Sequence, residues 1–394
     1  MKVYLYVTPF FPSPTDWRGS YGFDFVKALQ KQGVSVSVFT EGDGRDYEIG
    51  GVRVWTFRTR RLPSNIFPNL FARANQKSFL RAVARAGVNL EDVAVCHGNT
   101  ANYAIYPLAV KRLNAHCKTL LHHHDLASFG LNLGVLRRCW LYNLILFPIL
   151  RRLHEAIDTH VFISEQSRRS FLSAPNARWT CYADYQKQMR GLPYRAVRIK
   201  DSLILHNGVD TTLFTREPRT RLSEAFTIGC VGNFMPLKGQ FTLLKAVALL
   251  KLPIKLAFIG SGETLEACRK FAQEHHIDVE FRSEVRHEEL PNFYRSIDLF
   301  VLPSYFEGFG CVYTEAWACG TPFIACEGQG IEDVISAEDR HLWLCKPCDP
   351  IDLAAKIKYY ITNRPQQKVK GSIEINELTN EFLKRIGEGE AFSK

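Results

Sequence analysis

The segment PSYFEGFGCVYTEAWACGTPFIA, residues 303–325, gathers the residue types that could handle a charged ligand. It reads as a strand end, a loop with Gly308 and Gly310, a helix, a tight turn at Gly320 and a second strand. Glycines at 308 and 310 let the backbone approach a ligand closely. The following helix offers unpaired N–H groups and a positive dipole end to an anion such as phosphate. Glu307 precedes this helix and Glu315 lies within it, eight residues on, so both carboxylates can address one ligand at different depths. A carboxylate so placed accepts hydrogen bonds from ribose hydroxyls; an ordinary βα turn with a solvent-facing glutamate has the same local pattern. A second cluster, HHHD at 122–125, closes an apolar run. Side chains alternate along a strand, so His122 and His124 share one face and His123 takes the other. Zinc on His122 and His124 lacks partners at matching spacing, and buried structural histidines are the plainer alternative. The lone CxxC, CKPC at 345–348, has no second pair to complete a zinc site and reads as structural.

Short β-rich runs alternate with helical patterns along the whole chain, the signature of doubly wound parallel sheets. In the first half the strand runs are 2–8, 34–40, 52–57, 93–97, 118–124, 159–164 and 202–208; in the second they are 226–232, 254–260, 279–283, 298–304, 321–326 and 342–347. The polar stretch TTLFTREPRTRLSEA interrupts this alternation after ILHNGVD. The organisation expected is a first Rossmann-like domain over 1–208, a linker over 209–225, a second over 226–364, and a helical tail over 365–394 that packs back on the first domain. The fold class is α/β, with the two domains facing across a ligand-binding cleft. Two stretches break the pattern: an apolar segment at 129–154 bracketed by Arg137, Arg138, Arg151 and Arg152, and a basic, aromatic insertion at 172–201 with Trp179, Tyr182 and Tyr185.

The 394 residues, 46% hydrophobic and 23% charged, exclude collagen-like, coiled-coil and disordered classes. Residues 1–210 hold 28 Lys and Arg against 15 Asp and Glu, and the remainder 22 against 25, so the formal charge of +10 resides in the first half. That asymmetry suits an anionic surface, a membrane, nucleic acid or acidic glycan, or simple solubilising decoration. No recognised nucleic-acid-binding module accompanies it. Eleven cysteines without a framework of spacings suit a reducing cytoplasm. MKVYLYVTPFFPSP reads as a first strand rather than a signal peptide, and the longest apolar run, 139–150, is 12 residues, short of the roughly 20 that span a bilayer.

EGFGCVYTE resembles the E-x7-E motif of retaining GT-B glycosyltransferases of the family-4 type, the glycosyl transferases group 1, which use nucleotide-sugar donors. Further segments are similar in the same order: ILHNGVDTTLF (204–214), VGNFMPLKGQFTLLKA (231–246), FIGSGE (258–263) and DLFVLPSYFEGFG (298–310), with looser likeness at 160–171 and 6–29. The resemblance implies metal-independent cleavage of a nucleoside-diphosphate sugar, with no cofactor. Lys238 corresponds to the family lysine on the diphosphate, Glu315 to the carboxylate on the ribose, and Glu307 to the one beside the donor sugar, positioning the transition state rather than acting as a covalent nucleophile. The backbone N–H groups of Gly308, Phe309 and Gly310 would hold sugar and phosphate. Ser283 to Val285 fall where the nucleobase is held, and Gly19 with Ser20 stand for the glycine pair of the first loop. His124 corresponds to the histidine beside the reaction centre. One departure is clear: Asn233 stands where the family has an arginine, removing one of two cations from phosphate recognition, which Arg18 could supply from the first domain.

The expected protein is thus a retaining hexosyltransferase that moves a sugar from a nucleotide-sugar donor to a glycan, with a polyprenyl-linked acceptor favoured, in cell-surface polysaccharide assembly. It would be cytoplasmic and peripheral on an anionic membrane surface, with the 137–152 segment lying in the interface or forming an ordinary core helix. The alternative is a catalytically degenerate relative that binds sugar nucleotides or glycans.

Overall fold

A computed structural model of the chain describes residues 2–13, 19–60, 71–124, 147–173, 198–218 and 225–387. Arg18, Asp125, Arg137, Arg138 and the aromatic residues of the 172–201 insertion lie outside them. The described residues form two compact units: one runs to Gly208 and takes in Ile375 onward, and the other covers Val209–Glu374.

The first unit is built as β1 (Val3–Thr8), α1 (Ser20–Lys31), β2 (Ser35–Glu41), β3 (Tyr47–Ile49), β4 (Val52–Phe57), α2 (Ala72–Arg85), β5 (Val93–Gly98), α3 (Ile105–Leu113), β6 (Lys118–His123), α4 (Phe147–Ala156), β7 (Thr159–Phe162), α5 (Glu165–Ser173) and β8 (Ser202–Ile204). Its sheet runs β3-β4-β2-β1-β5-β6-β7-β8. All neighbours are parallel except β3 and β4. The short β3 was not among the expected strands, although its cue is present: Gly50–Gly51 between EI and VRVW is the dipeptide a two-residue hairpin favours. β1 shows why the parallel strands read as continuous apolar runs. Tyr4 and Tyr6 enter one core cluster and Leu5 and Val7 the other, so both faces are covered.

The second unit contains β9 (Phe226–Val231), α6 (Gln240–Leu250), β10 (Ile254–Ile259), α7 (Leu265–Glu274), β11 (Val279–Arg282), α8 (Leu290–Ser296), β12 (Leu299–Val301), α9 (Cys311–Ala318), β13 (Phe323–Cys326), α10 (Arg340–Trp343), β14 (Leu344–Cys345) and α11 (Pro350–Asn363). Its sheet, β11-β10-β9-β12-β13-β14, is parallel throughout. Both units are α/β and Rossmann-like. Strand order reverses between β1 and β5 in one and between β9 and β12 in the other, and in such sheets the carboxyl ends flanking the reversal are where ligands bind. β12 is shorter than the run 298–304. Beyond it Ser304 N–H turns back to Leu302 O (2.8 Å) and Tyr305 N–H reaches Leu237 O (3.0 Å), which carries the chain off the sheet and onto the loop after β9.

A final helix, α12 (Ile375–Arg385), belongs to the first unit. Its Phe382 meets Phe25 of α1 edge-on with ring centroids 5.5 Å apart, and Leu383 and Ile386 complete that core. Burying a side chain such as Phe382 is worth about 2–3 kcal/mol.

Candidate functional site

In the second unit, the carboxyl ends of β9 and β12 hold the charged residues of interest. Lys238 closes a single 3₁₀ turn, Pro236–Lys238, and Gly239 follows with φ 73°. A Cβ at Gly239 would lie 2.2 Å from Pro303 O, so only glycine lets this loop pack against the segment leaving β12. The Ser304 hydroxyl and Tyr305 N–H both donate to Leu237 O, at 3.0 Å each, and bind the two loops together. Across this joint the Lys238 ammonium pairs with the Glu307 carboxylate, both side chains being about one-fifth exposed. Glu307 is gripped from the other side as well, its N–H donating to Gln329 Oε1 at 2.8 Å.

Glu315, one turn into α9, is buried. Its Oε2 accepts from the Tyr294 hydroxyl at 2.8 Å and its Oε1 from His287 Nε2 at 3.4 Å. Burial, and then the Glu315 charge, push the Tyr294 hydroxyl well above the usual phenol range, so it stays protonated and donates. Gly310 caps α9, Phe309 packs inward, and Gly308 is half-buried between them. Asn233 is exposed on the loop after β9, whose carbonyls at 232 and 233 accept from Gln240 Nε2 (3.3 and 3.0 Å). Ser283 is exposed and Val285 half-buried after β11.

In the first unit, Gly19 caps α1 at φ 85°, where a Cβ would stand 2.7 Å from Phe10 O, and Ser20 opens the helix. His124 follows β6. Its ring lies 3.9 Å from that of His122 and 4.3 Å from that of Tyr21, and its Nε2 bonds Asn99 Oδ1. Burial, with a further push from His97, lowers the His124 pKa to about 3. At neutral pH this imidazole is therefore a hydrogen-bonding group and not a proton carrier. His123 takes the opposite face, stacked on Phe162 at 4.6 Å. Its Nε2 bonds His160 Nδ1 (2.9 Å), and His160 Nε2 donates to His154 O (3.0 Å).

Thus Lys238 and Glu307 are brought into contact and Glu315 is buried in the same unit, whereas His124, Gly19 and Ser20 sit at the ends of β6 and β1 in the other. Four partners escape sequence reasoning: Tyr294, His287, Gln329 and Asn99. They sit on other elements, and nothing in their spacing links them to the residues they hold. For metal binding, one described group qualifies by proximity: His123, His154 and His160 offer ring nitrogens within 4.8 Å of one another. The hydrogen-bond chain already engages His123 Nε2 and both nitrogens of His160, so an ion held by all three rings would have to displace those bonds.

Comparison with known proteins is consistent along the chain. Residues 214–373 match the family model described as Glycosyl transferases group 1, and residues 19–180 match Glycosyltransferase Family 4. The GDP-mannose-dependent alpha-(1-6)-phosphatidylinositol monomannoside mannosyltransferase of Mycobacterium tuberculosis is 30% identical over 209 residues, covering 48% of each chain. The match thus spans about half the length of that relative. The sulfoquinovosyl transferase of Arabidopsis thaliana is 24% identical over 380 residues, 91% of this chain and 67% of its own. Among solved structures, HepE of Anabaena in complex with UDP superposes with a TM-score of 0.69 at 16% identity, covering 98% of this chain and 100% of its own.

Proposed function

The chain belongs to the GT-B glycosyltransferases of the family-4, group-1 type, and from that premise we propose that it transfers a hexosyl group, with retention, from a nucleoside-diphosphate sugar to a glycan acceptor. The observation that carries the reading is the joint between the loops after β9 and β12, where Lys238 meets Glu307 at the switch point of the sheet. Two opposite charges here hold each other in place until a diphosphate offers the ammonium a stronger anion. Cleavage of the glycosidic bond then places negative charge on the leaving phosphate. Lys238 and the N-terminal dipole of α6 offset it without a metal ion. Glu307, anchored through its own N–H by Gln329, positions the donor sugar rather than acting as a covalent nucleophile. Glu315, held by Tyr294 and His287, takes the ribose hydroxyls; the loop at Ser283 and Val285 takes the base; and the backbone at Gly308 to Gly310 takes the sugar. The UDP bound to HepE, and the GDP-mannose dependence of the mycobacterial relative, support the donor class.

For the acceptor we propose a lipid-linked glycan reached from an anionic membrane surface. Support comes from a groove of about 590 Å³ between α2 and α3. Arg73, Lys77, Arg81 and Arg112 rim an apolar floor that includes Leu80 and the exposed Leu113, and neither helix carries an acidic residue. No helix among the described residues is long and apolar enough to cross a membrane. Thermal shift with UDP, GDP and their sugars tests the donor reading. A nucleotide should raise the unfolding temperature, and Lys238→Ala and Glu315→Ala should each abolish the rise. Absence of any shift in the wild type would refute it, and turnover with a sugar-nucleotide panel separates the enzyme from a binding protein.

A further inference from the structure

The hydrogen-bond chain behind His124 determines where its proton sits. The chain begins at Phe10 O, a carbonyl, which only accepts. The Thr8 hydroxyl lies 2.9 Å from it and donates its single proton there. Thr8 Oγ1 must then accept from its other neighbour, which makes the Asn99 atom at 3.1 Å the amide nitrogen. The remaining Asn99 atom, facing His124, is therefore the carbonyl oxygen. It accepts, so His124 Nε2 carries the proton. With burial keeping the ring neutral, His124 Nδ1 holds a bare lone pair. Asn99 and Thr8 are fully buried, and Asn99 N–H is itself tied to Val7 O at 2.8 Å, so the amide is held by backbone and side chain together.

Among the described residues, His124 Nδ1 is sealed from solvent and has no hydrogen-bond partner, and the same is true of His122 Nε2. Both rings line a narrow cavity, with Tyr6, Tyr21 and His206 among its other walls. Its volume is about 10 Å³. That space is at the lower limit for a single water and far too small for a sugar ring. A buried acceptor without a donor is costly, so the position of the ring proton has to be fixed by the groups around it.

We infer that Asn99 is a positioning residue that locks His124 as the Nε2–H tautomer and so keeps Nδ1 as a bare lone pair. The tautomer follows from the hydrogen bonds alone; only its effect on turnover rests on the glycosyltransferase reading. A ring in the other tautomer would leave Asn99 Oδ1 facing a lone pair.

The test is nitrogen-15 NMR of histidine-labelled full-length protein, where two-bond proton couplings tell a protonated ring nitrogen from a bare one. Wild type should show His124 with Nε2 protonated and Nδ1 bare. Asn99→Asp keeps an acceptor oxygen and should retain that pattern. Asn99→Leu should lose it, with a mixture of tautomers. Thr8→Val, nearly isosteric, frees the amide to flip and should also give a mixture, which keeps the test available if the leucine variant folds poorly. Outer partners that orient a histidine are worth about 10- to 100-fold at metal sites, so kcat should fall about ten-fold in the leucine variant with little change in KM for the nucleotide sugar. A wild-type His124 protonated on Nδ1 would overturn the inference, as would Asn99→Leu and Thr8→Val variants in which tautomer and kcat both stay unaltered. If the tautomer is as inferred but no sugar is turned over, the functional reading fails and the positioning by Asn99 stands.

Discussion

Glu307 and Glu315 are legible in the sequence because a glycine loop and a helix hold them eight residues apart, a local relation that needs no tertiary information. Their partners are of another kind. Tyr294 lies 21 residues before Glu315 and His287 28 residues before it, on a separate helix and turn, so only the packing of α8 against α9 brings their donors to one carboxylate. This yields a prediction for the pair. Tyr294→Phe leaves Glu315 Oε2 buried without its donor, which costs about 1–2 kcal/mol. Nucleotide affinity measured by calorimetry should drop about 5- to 30-fold. An unchanged Kd would mean that Glu315 does not meet the nucleotide.

Among the elements, the loop after β9 and the helices α2 and α3 carry distinct consequences. Gly239 combines a positive φ with a position where a Cβ would lie 2.2 Å from Pro303 O, so Gly239→Ala has to push apart the two loops that join Lys238 to Glu307. We expect a loss of about 3 kcal/mol and a lower unfolding temperature, together with weaker nucleotide binding; full stability in the alanine variant would contradict the close packing. On α2, residues 73, 77 and 81 recur every fourth position and so lie on one stripe of the helix. Each basic side chain near an anionic leaflet contributes about 1 kcal/mol, so reversing Arg73, Lys77 and Arg81 to glutamate should weaken sedimentation with anionic vesicles about 100-fold or more and leave nucleotide binding intact. Equal binding to anionic and zwitterionic vesicles by the wild type would remove the groove from the account. The sequence singled out 137–152 as a membrane contact or an ordinary core helix, because a long apolar run is conspicuous there, whereas a rimmed groove exists only once two helices lie side by side.

At the scale of the whole molecule, buried histidine is a collective feature. His97 and His124 are lowered to about 3 and His160 to about 4, each chiefly by burial, and His122, His123 and His154 are lowered in the same sense. Unfolding returns each to about 6.5, so between these values the unfolded chain binds more protons than the folded one. Stability is therefore fully present above pH 6.5 and is lost as pH falls, with a limiting slope of about 1.4 kcal/mol per pH unit for each histidine. The unfolding midpoint in urea should be flat from pH 7 to 8 and decline between 6.5 and 5, before carboxylates titrate; a flat midpoint across that window would disprove the neutral burial of the group. The α/β class, most of the strands and the order of the family motifs can be read from the residues alone, because hydrophobic periodicity and loop-helix spacing are short-range properties. The fold in three dimensions was needed to learn which other side chains meet the two faces of 122–124, what holds Glu315 and Glu307, which basic residues form one surface, and where the proton of His124 resides. Those depend on side chains far apart in the chain meeting across parallel strands and packed helices, and on hydrogen bonds whose direction is set by a carbonyl more than a hundred residues away.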